Sequence, residues 1–116
     1  MQLVPAPDAR LLLCTAPPGE AHDLARRLVE SGLAACVNVV PGLRSVYRWE
    51  GRVHDEPESL LLVKTTPACL PALARWLGEQ HPYEVPEALV LAPGAGSEAY
   101  LAWLSGAVGD PGPAGR

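Results

Sequence analysis

The apolar positions along the chain follow two spacings, one typical of buried strands and one typical of amphipathic helices. Residues 11–15 form a short apolar run closely followed by proline, which predicts a strand buried on both faces. Residues 20–31 then carry apolar side chains at helical spacing, and Gly32 is placed to end the helix. The folded part of the chain is therefore predicted to begin with a strand and a helix.

A long hairpin is predicted after this helix. Residues 33–40 are apolar and rich in β-branched side chains, and a strand-like pattern resumes after Pro41-Gly42 and runs to a tight turn at Glu50-Gly51. The returning arm, residues 53–66, is polar at first and strongly apolar in its second half. We therefore predict that the near half of this arm is exposed and that its far half belongs to the core.

The predicted hairpin is too long for one compact subunit. Arms of about 12 residues at ~3.3 Å each reach roughly 40 Å, whereas a compact domain of this length is about 35 Å across. The hairpin should overhang, and the backbone edges that it exposes are most simply satisfied by a neighbouring subunit. We therefore expect a closed oligomer.

The second half of the chain adds two helices and a strand. The pattern predicts a helix from about residue 67 or 70 to 80, an irregular link over 81–86, a strand over 88–92, and a helix over 98–104 capped by Ser97. The resulting β-α-β-β-α-β-α order predicts an α+β fold, a ferredoxin-like βαββαβ sandwich with a long β-hairpin and a short C-terminal helix.

Composition sets the limits of this domain. The 116 residues include 13 proline and 11 glycine residues, and much of this surplus lies at the two ends of the chain. Such segments bury too little apolar surface to offset chain entropy. We predict a flexible N-terminal segment over 1–9, a folded domain over 10–104 and a disordered Gly/Pro-rich tail over 105–116.

Charge and cysteine count disfavour several classes of protein. The formal charge is -4, so the cationic field that drives binding to nucleic acid or anionic membranes is missing. No apolar run approaches the roughly 18 residues of a membrane span. Cys14, Cys36 and Cys69 lack the spacing of a disulfide framework or a closed zinc site. We therefore expect a cytoplasmic protein with no nucleic-acid and no membrane partner.

Two places in the sequence could carry chemistry. Cys36 lies in an apolar strand, where an inert thiol is usual, but its soft sulfur could hold copper if other donors approach from a neighbouring chain. The link from His81 to Glu87 gathers an imidazole, the phenol of Tyr83 and two carboxylates around two prolines. Functional sites are often carried on such loops, although a histidine at a helix end can equally be a partner of the helix dipole.

Two pairs of residues on the hairpin each have two possible roles. Glu58 and Lys64 share one strand face about 20 Å apart. Each either finds a partner at a sheet end or subunit interface, or, in the case of Lys64, binds an anion. Tyr47 and Trp49 share a face of the opposing arm and suit either a pocket wall or an intersubunit contact.

Five segments in order together closely resemble the CutA family of divalent-cation tolerance proteins. They are LAACVN (33–38), SVYRWEG (45–51), ESLLLVKT (58–65), His81-Pro82-Tyr83 with Pro86-Glu87, and YLAWL (100–104). The resemblance covers about residues 11–104. It implies a ferredoxin-like subunit in a tight homotrimer whose hairpins reach across neighbours, and an association with tolerance to copper and other divalent ions.

The resemblance also implies roles for individual residues. Cys36 matches the cysteine that the family links to copper, and several polar and aromatic residues fall on recurrent family positions near the intersubunit cleft. The predicted metal-binding residues are Cys36, His81 and Glu87. The predicted cleft or ligand-binding residues are Tyr47, Trp49, Glu58, Lys64 and Tyr83.

Three functional hypotheses follow. The leading one is a trimeric protein of metal-ion tolerance that binds copper or another divalent cation and is not an enzyme. The alternative is a sensor similar to the PII signalling proteins, which the family's trimer also resembles, binding a small anionic metabolite at the cleft near Lys64 and His81. The third is an enzyme with Cys36 and His81 as a nucleophile pair, which nothing local supports beyond the presence of both residues.

Overall fold

The structure is a computed structural model, and it describes residues 1–109 of the chain. Its elements are β1 (Leu3–Pro5), β2 (Arg10–Ala16), α1 (Pro18–Glu30), β3 (Cys36–Trp49), β4 (Arg52–Thr65), a 3-10 turn (Pro67–Cys69), α2 (Leu70–Gln80), β5 (Leu89–Leu91), β6 (Ala95–Ser97) and α3 (Glu98–Ala107). Within this part of the chain, none of the three helices has the length and apolar character needed to cross a bilayer.

A four-stranded antiparallel sheet forms the centre of the fold. Its strand order is β3-β4-β2-β5, which is the order of a ferredoxin-like sandwich, so the predicted fold class is confirmed. The helices α1 and α2 pack on one face of this sheet. The main core comprises Leu24, Leu28, Leu73 and Leu77 from the helices and Leu12, Cys14, Leu61 and Val63 from the strands.

The sequence explains the limits of α1. Pro18 occupies the first turn, where its missing N–H costs nothing. At the other end Gly32 takes a φ of 77°, its N–H bonds to the Val29 carbonyl, and the Leu33 N–H bonds to the Leu28 carbonyl. This pair of bonds is a Schellman motif, and it directs the chain from α1 into β3.

The hairpin of β3 and β4 extends beyond the core, as its length predicts. Glu50 and Gly51, with φ of 51° and 76°, form the two-residue turn. The chain measures 45 × 35 × 21 Å with a radius of gyration of 15.1 Å, above the about 13 Å of a compact chain of this length. Residues 44–57 are mostly exposed, so the outer part of the hairpin is the part that overhangs.

A β-bulge divides the hairpin into two halves. The register runs from Val40 opposite Leu60 to Leu43 opposite Glu58, so β3 carries one extra residue at this point. Gly42 adopts a φ of 82° within the bulge. Before the bulge, the even-numbered side chains of β3 share a face with the even-numbered side chains of β4. After the bulge, the odd-numbered side chains of β3 lie on that face. This change determines which side chains line the site described below.

The face of the sheet opposite the helices is apolar, and no other element of residues 1–109 covers it. Strand pairing places six leucines on this face, and all six are half-buried or exposed. They are Leu11, Leu13, Leu60, Leu62, Leu89 and Leu91. We call this surface the open face.

The structure differs from the predicted domain limits at both ends. Leu3–Pro5 is not loose but pairs as β1 with Ala95–Ser97, and Ala6 and Ala9 are buried against Leu104. This pairing uses backbone groups, which residue composition does not reveal. The last helix continues to Ala107 instead of ending at 104, and residues 110–116 of the predicted tail lie outside the described residues.

The same Gly-to-Ala exchange is expected to have opposite effects at two exposed glycines. An added Cβ at Gly51 or Gly78 meets nothing within 4 Å, but only Gly51 has a positive φ. Gly51→Ala should lower the free energy of unfolding by about 1 kcal/mol through backbone strain. Gly78→Ala, in α2, should raise it by roughly 0.5 kcal/mol. Urea unfolding at equal protein concentration checks both, and a shift of the same sign in the two variants would contradict the turn assignment.

Candidate functional site

A cleft of about 600 Å³ lies between the outer half of the hairpin, the end of β2 and the loop over residues 81–87. It contains five of the eight predicted site residues: Tyr47, Trp49, Glu58, Tyr83 and Glu87. The other lining residues are Thr15, Ser45, Val46, Glu84, Val85 and Pro86. The cleft is therefore the place where the structure assembles most of the predicted site.

The β-bulge brings the two aromatic side chains of the hairpin to this cleft. Beyond it, the odd-numbered residues of β3 lie on the same side as Glu58, whereas before it the even-numbered residues do. Tyr47 and Trp49 therefore lie over the same cleft as Glu58. The Tyr47 ring is stacked on His54 with a centroid distance of 5.2 Å, which holds it in place.

Glu58 is a buried carboxylate with a tyrosine partner. It is 7% exposed, and the Tyr83 hydroxyl donates a hydrogen bond to its Oε2 at 2.6 Å, a length typical of a charge-assisted bond. Burial and this bond together raise the pKa of Tyr83 well above its ordinary value, so the phenol stays protonated as the donor.

His81 anchors the loop from behind. Its Nδ1 accepts the Tyr83 backbone N–H at 3.0 Å, and its Nε2 lies 2.8 Å from the Thr15 carbonyl oxygen. Because Nδ1 accepts, Nε2 carries the proton and donates. With both ring nitrogens engaged and the residue buried, His81 fixes the loop against β2, and a metal bond through it would require one of these hydrogen bonds to break.

The cleft has a negative electrostatic character. Glu58, Glu84 and Glu87 line it, and none of the described residues in its lining is Lys or Arg. The field reaches the neighbouring Cys14 thiol, whose pKa is raised to about 12 by burial and then by Glu87 and Glu58. Cys14 is consequently a protonated, inert thiol.

Cys36 and Lys64 form a separate group near the other end of the sheet. Their positions face each other in the β3–β4 register, and Lys64 Nζ lies 3.9 Å from Cys36 Sγ and also donates to Asn38 Oδ1. Lys64 is six residues from Glu58 along β4, about 20 Å at strand spacing. Within one chain, Lys64 therefore does not reach the cleft. The predicted anion site near Lys64 and His81 is not assembled there either.

The predicted metal ligands are likewise not brought together in one chain. Thr15, to which His81 bonds, pairs with Leu60, and Cys36 pairs with Lys64, a separation of about 13 Å along β4. Across residues 1–109, no three His, Cys, Asp or Glu side chains lie close enough to hold one metal ion. The same separation leaves Cys36 and His81 unpaired as nucleophile and base.

Sequence reasoning missed some of the cleft. Glu84 lies in the loop that the sequence singles out, so its position carried a signal. Thr15 takes part through its backbone carbonyl, and Ser45 reaches the lining because the bulge turns it toward Glu58. Neither contribution depends on residue type, so neither has a signal in the sequence.

The chain is similar to known proteins by family profile, by sequence and by structure. A family profile described as CutA1 divalent ion tolerance protein matches residues 10–107. A divalent-cation tolerance protein CutA from Thermus thermophilus is 50% identical over 95 residues, 81% of this chain and 92% of the relative. The chain is thus similar to proteins of this family over nearly the whole length of the sheet and helices.

Solved structures agree with this similarity. CutA from Synechococcus elongatus PCC7942 is 47% identical with a TM-score of 0.88, covering 93% of this chain and 96% of that one. A structure described as the PII-like protein CutA from Nostoc sp. PCC 7120 is 32% identical with a TM-score of 0.81, covering 86% and 97%.

Removing the Tyr83 hydroxyl should destabilise the protein in a pH-dependent way. Tyr83→Phe leaves the buried Glu58 without its donor, which should lower the free energy of unfolding by about 1–2 kcal/mol at neutral pH. Because folding raises the pKa of Tyr83, the contribution of the phenol is fully present below about pH 10 and decreases above it. Urea unfolding of both proteins at pH 7 and above pH 10 should show a smaller difference at the higher pH. A constant difference would contradict a protonated Tyr83 donor.

Proposed function

Because the chain belongs to the CutA1 divalent ion tolerance family, we propose that it is a homotrimer that binds a divalent cation, with copper as the preferred ion, in metal-ion tolerance. The observation that carries this proposal is the family match over residues 10–107. We further propose that it acts as a binding protein, without catalysis, in the cytoplasm, where its three free thiols would remain reduced.

The open face supports assembly into a trimer. Leu89 at the edge of this face is 59% exposed in the single chain, and the other five leucines lie beside it. A contiguous apolar surface of this kind favours association, and the overhanging hairpin provides an arm that can cross a neighbouring copy. A closed ring of three copies covers both features on every subunit.

Cys36 supports copper as the cation. Its half-buried sulfur lies on the open face beside Lys64, and thiolate is a soft ligand that suits copper. Since residues 1–109 of one chain do not gather three ligands, we propose that a second subunit supplies the remaining donors. Glu87, exposed on the cleft rim, is free to serve, whereas His81 would first have to release a hydrogen bond.

One observation favours a second candidate, a PII-like sensor of an anionic metabolite. Lys64 is half-buried with Cys36 and Asn38 as its partners, and within residues 1–109 it forms no ion pair with a carboxylate. A cation in this setting favours an anion from outside the chain. Loss of a metabolite-induced thermal shift in Lys64→Gln would support this candidate.

Copper binding should depend on Cys36 and not on another thiol. In calorimetric titrations, we expect Cys36→Ser to weaken copper binding at least about tenfold, which corresponds to ~1.4 kcal/mol. Cys69→Ser is the matched control, because Cys69 is also a half-buried free thiol but lies in the 3-10 turn. Equal affinities of all three proteins would rule out Cys36 as a ligand.

The open face should determine the oligomeric state. Leu89→Glu places a charge on a side chain that is exposed in the single chain, so the subunit should fold while the trimer dissociates. Val29→Glu, at an exposed position on α1, is the control and should remain trimeric. Light scattering coupled to gel filtration measures both masses, and a trimeric Leu89→Glu protein would contradict the proposed interface.

A further inference from the structure

We propose that the cleft binds a small organic ammonium ion, with Glu58 as its counter-charge and Tyr47 and Trp49 as its aromatic walls. This inference does not rest on metal binding, since Cys36 lies outside the cleft. It assigns a ligand class to a cavity that the copper proposal leaves largely unused.

The first step is the unbalanced charge of Glu58. The residue is 7% exposed, and Tyr83 occupies only its Oε2. In the part of the chain that the structure describes, Oε1 has no hydrogen-bond partner and Glu58 forms no ion pair. No side-chain oxygen of the described residues is fully buried without a hydrogen-bond partner, so Oε1 is accessible from the cleft. Because Glu58 lines the cleft, a cation bound there would balance this charge.

The second step is the size of that cation. The carboxylates of the cleft do not belong to any group of three ligands suited to one metal ion within residues 1–109. They surround a cavity of about 600 Å³, which falls in the range that accommodates small organic molecules. The volume therefore favours an organic cation, which can fill such a cavity, over a bare metal ion.

The third step is the aromatic wall. Tyr47 and Trp49 line the same cavity, and in the single chain they are 39% and 44% exposed, so neither ring is fully covered by the residues of its own subunit. Aromatic faces attract ammonium groups, most strongly in the case of tryptophan. Aromatic rings combined with a buried carboxylate are a suitable environment for an alkylated ammonium group.

The fourth step excludes the opposite charge. An anion in this cavity would meet Glu58, Glu84 and Glu87 without a lysine or arginine among the described lining residues. The pKa of Cys14, raised by burial and then by Glu87 and Glu58, is consistent with this negative field. A metabolite anion is therefore better matched to Lys64, about 20 Å away along β4, than to the cleft.

Choline and its neutral carbon analogue 3,3-dimethyl-1-butanol provide a direct test. The two molecules have nearly the same shape and differ in charge. Calorimetric titration of the full-length protein in phosphate buffer with a metal chelator should show choline binding at least about tenfold more tightly than the alcohol. Glu58→Gln should remove this preference, and Cys36→Ser should retain it.

A control and a second variant keep the test decisive. Glu20→Gln makes the same charge change on the exposed start of α1 and should bind choline as the wild type does. If Glu58→Gln fails to fold, Trp49→Leu on the exposed hairpin tests the aromatic wall and should weaken choline binding. The proposal is overturned if the wild type does not bind choline, if the alcohol binds equally well, or if Glu58→Gln keeps the preference for choline.

Discussion

Two helices cover one face of a four-stranded sheet and leave the other face to be covered from outside the chain. This constraint follows from the fold, because α1 and α2 are both crossover connections on the same side. Six leucines on the open face remain half-buried or exposed among the residues that the structure describes. The overhanging hairpin adds to the same requirement. The proposed trimer would bury this apolar surface, and Cys36 and Lys64 lie on the face that it would cover.

The β-bulge at Pro41-Gly42 determines which side chains of the outer hairpin face the cleft. Without the extra residue, Tyr47 and Trp49 would lie on the face opposite Glu58. With it, the aromatic rings and the buried carboxylate line one cavity. The bulge therefore places side chains from both arms of the hairpin on the same wall of the cleft.

The sequence was most informative where side-chain chemistry determines structure. Periodicity predicted α1, α2, the long hairpin and its Glu50-Gly51 turn, because these depend on burial and on turn propensity. It did not predict β1 and β6, which pair Leu3–Pro5 with Ala95–Ser97 through backbone bonds. Residue type and position single out Tyr47, Trp49, Glu58 and Tyr83, and the resemblance to the family assigns them to one cleft. Their grouping apart from Cys36 and Lys64 depends on strand register, which a motif does not specify.

Strand geometry keeps the acidic cleft apart from the Cys36–Lys64 pair on one surface. Glu58 and Lys64 lie six residues apart on the same strand face, so an acidic cleft and a thiol–ammonium pair occupy opposite ends of the open face, about 20 Å apart. Neither end can neutralise the other at this distance, since charges near a protein surface are largely screened beyond about 10 Å. The two ends therefore attract ligands independently, and the proposed ligands are an organic cation at the cleft and an anion or a metal ion beside Lys64 and Cys36.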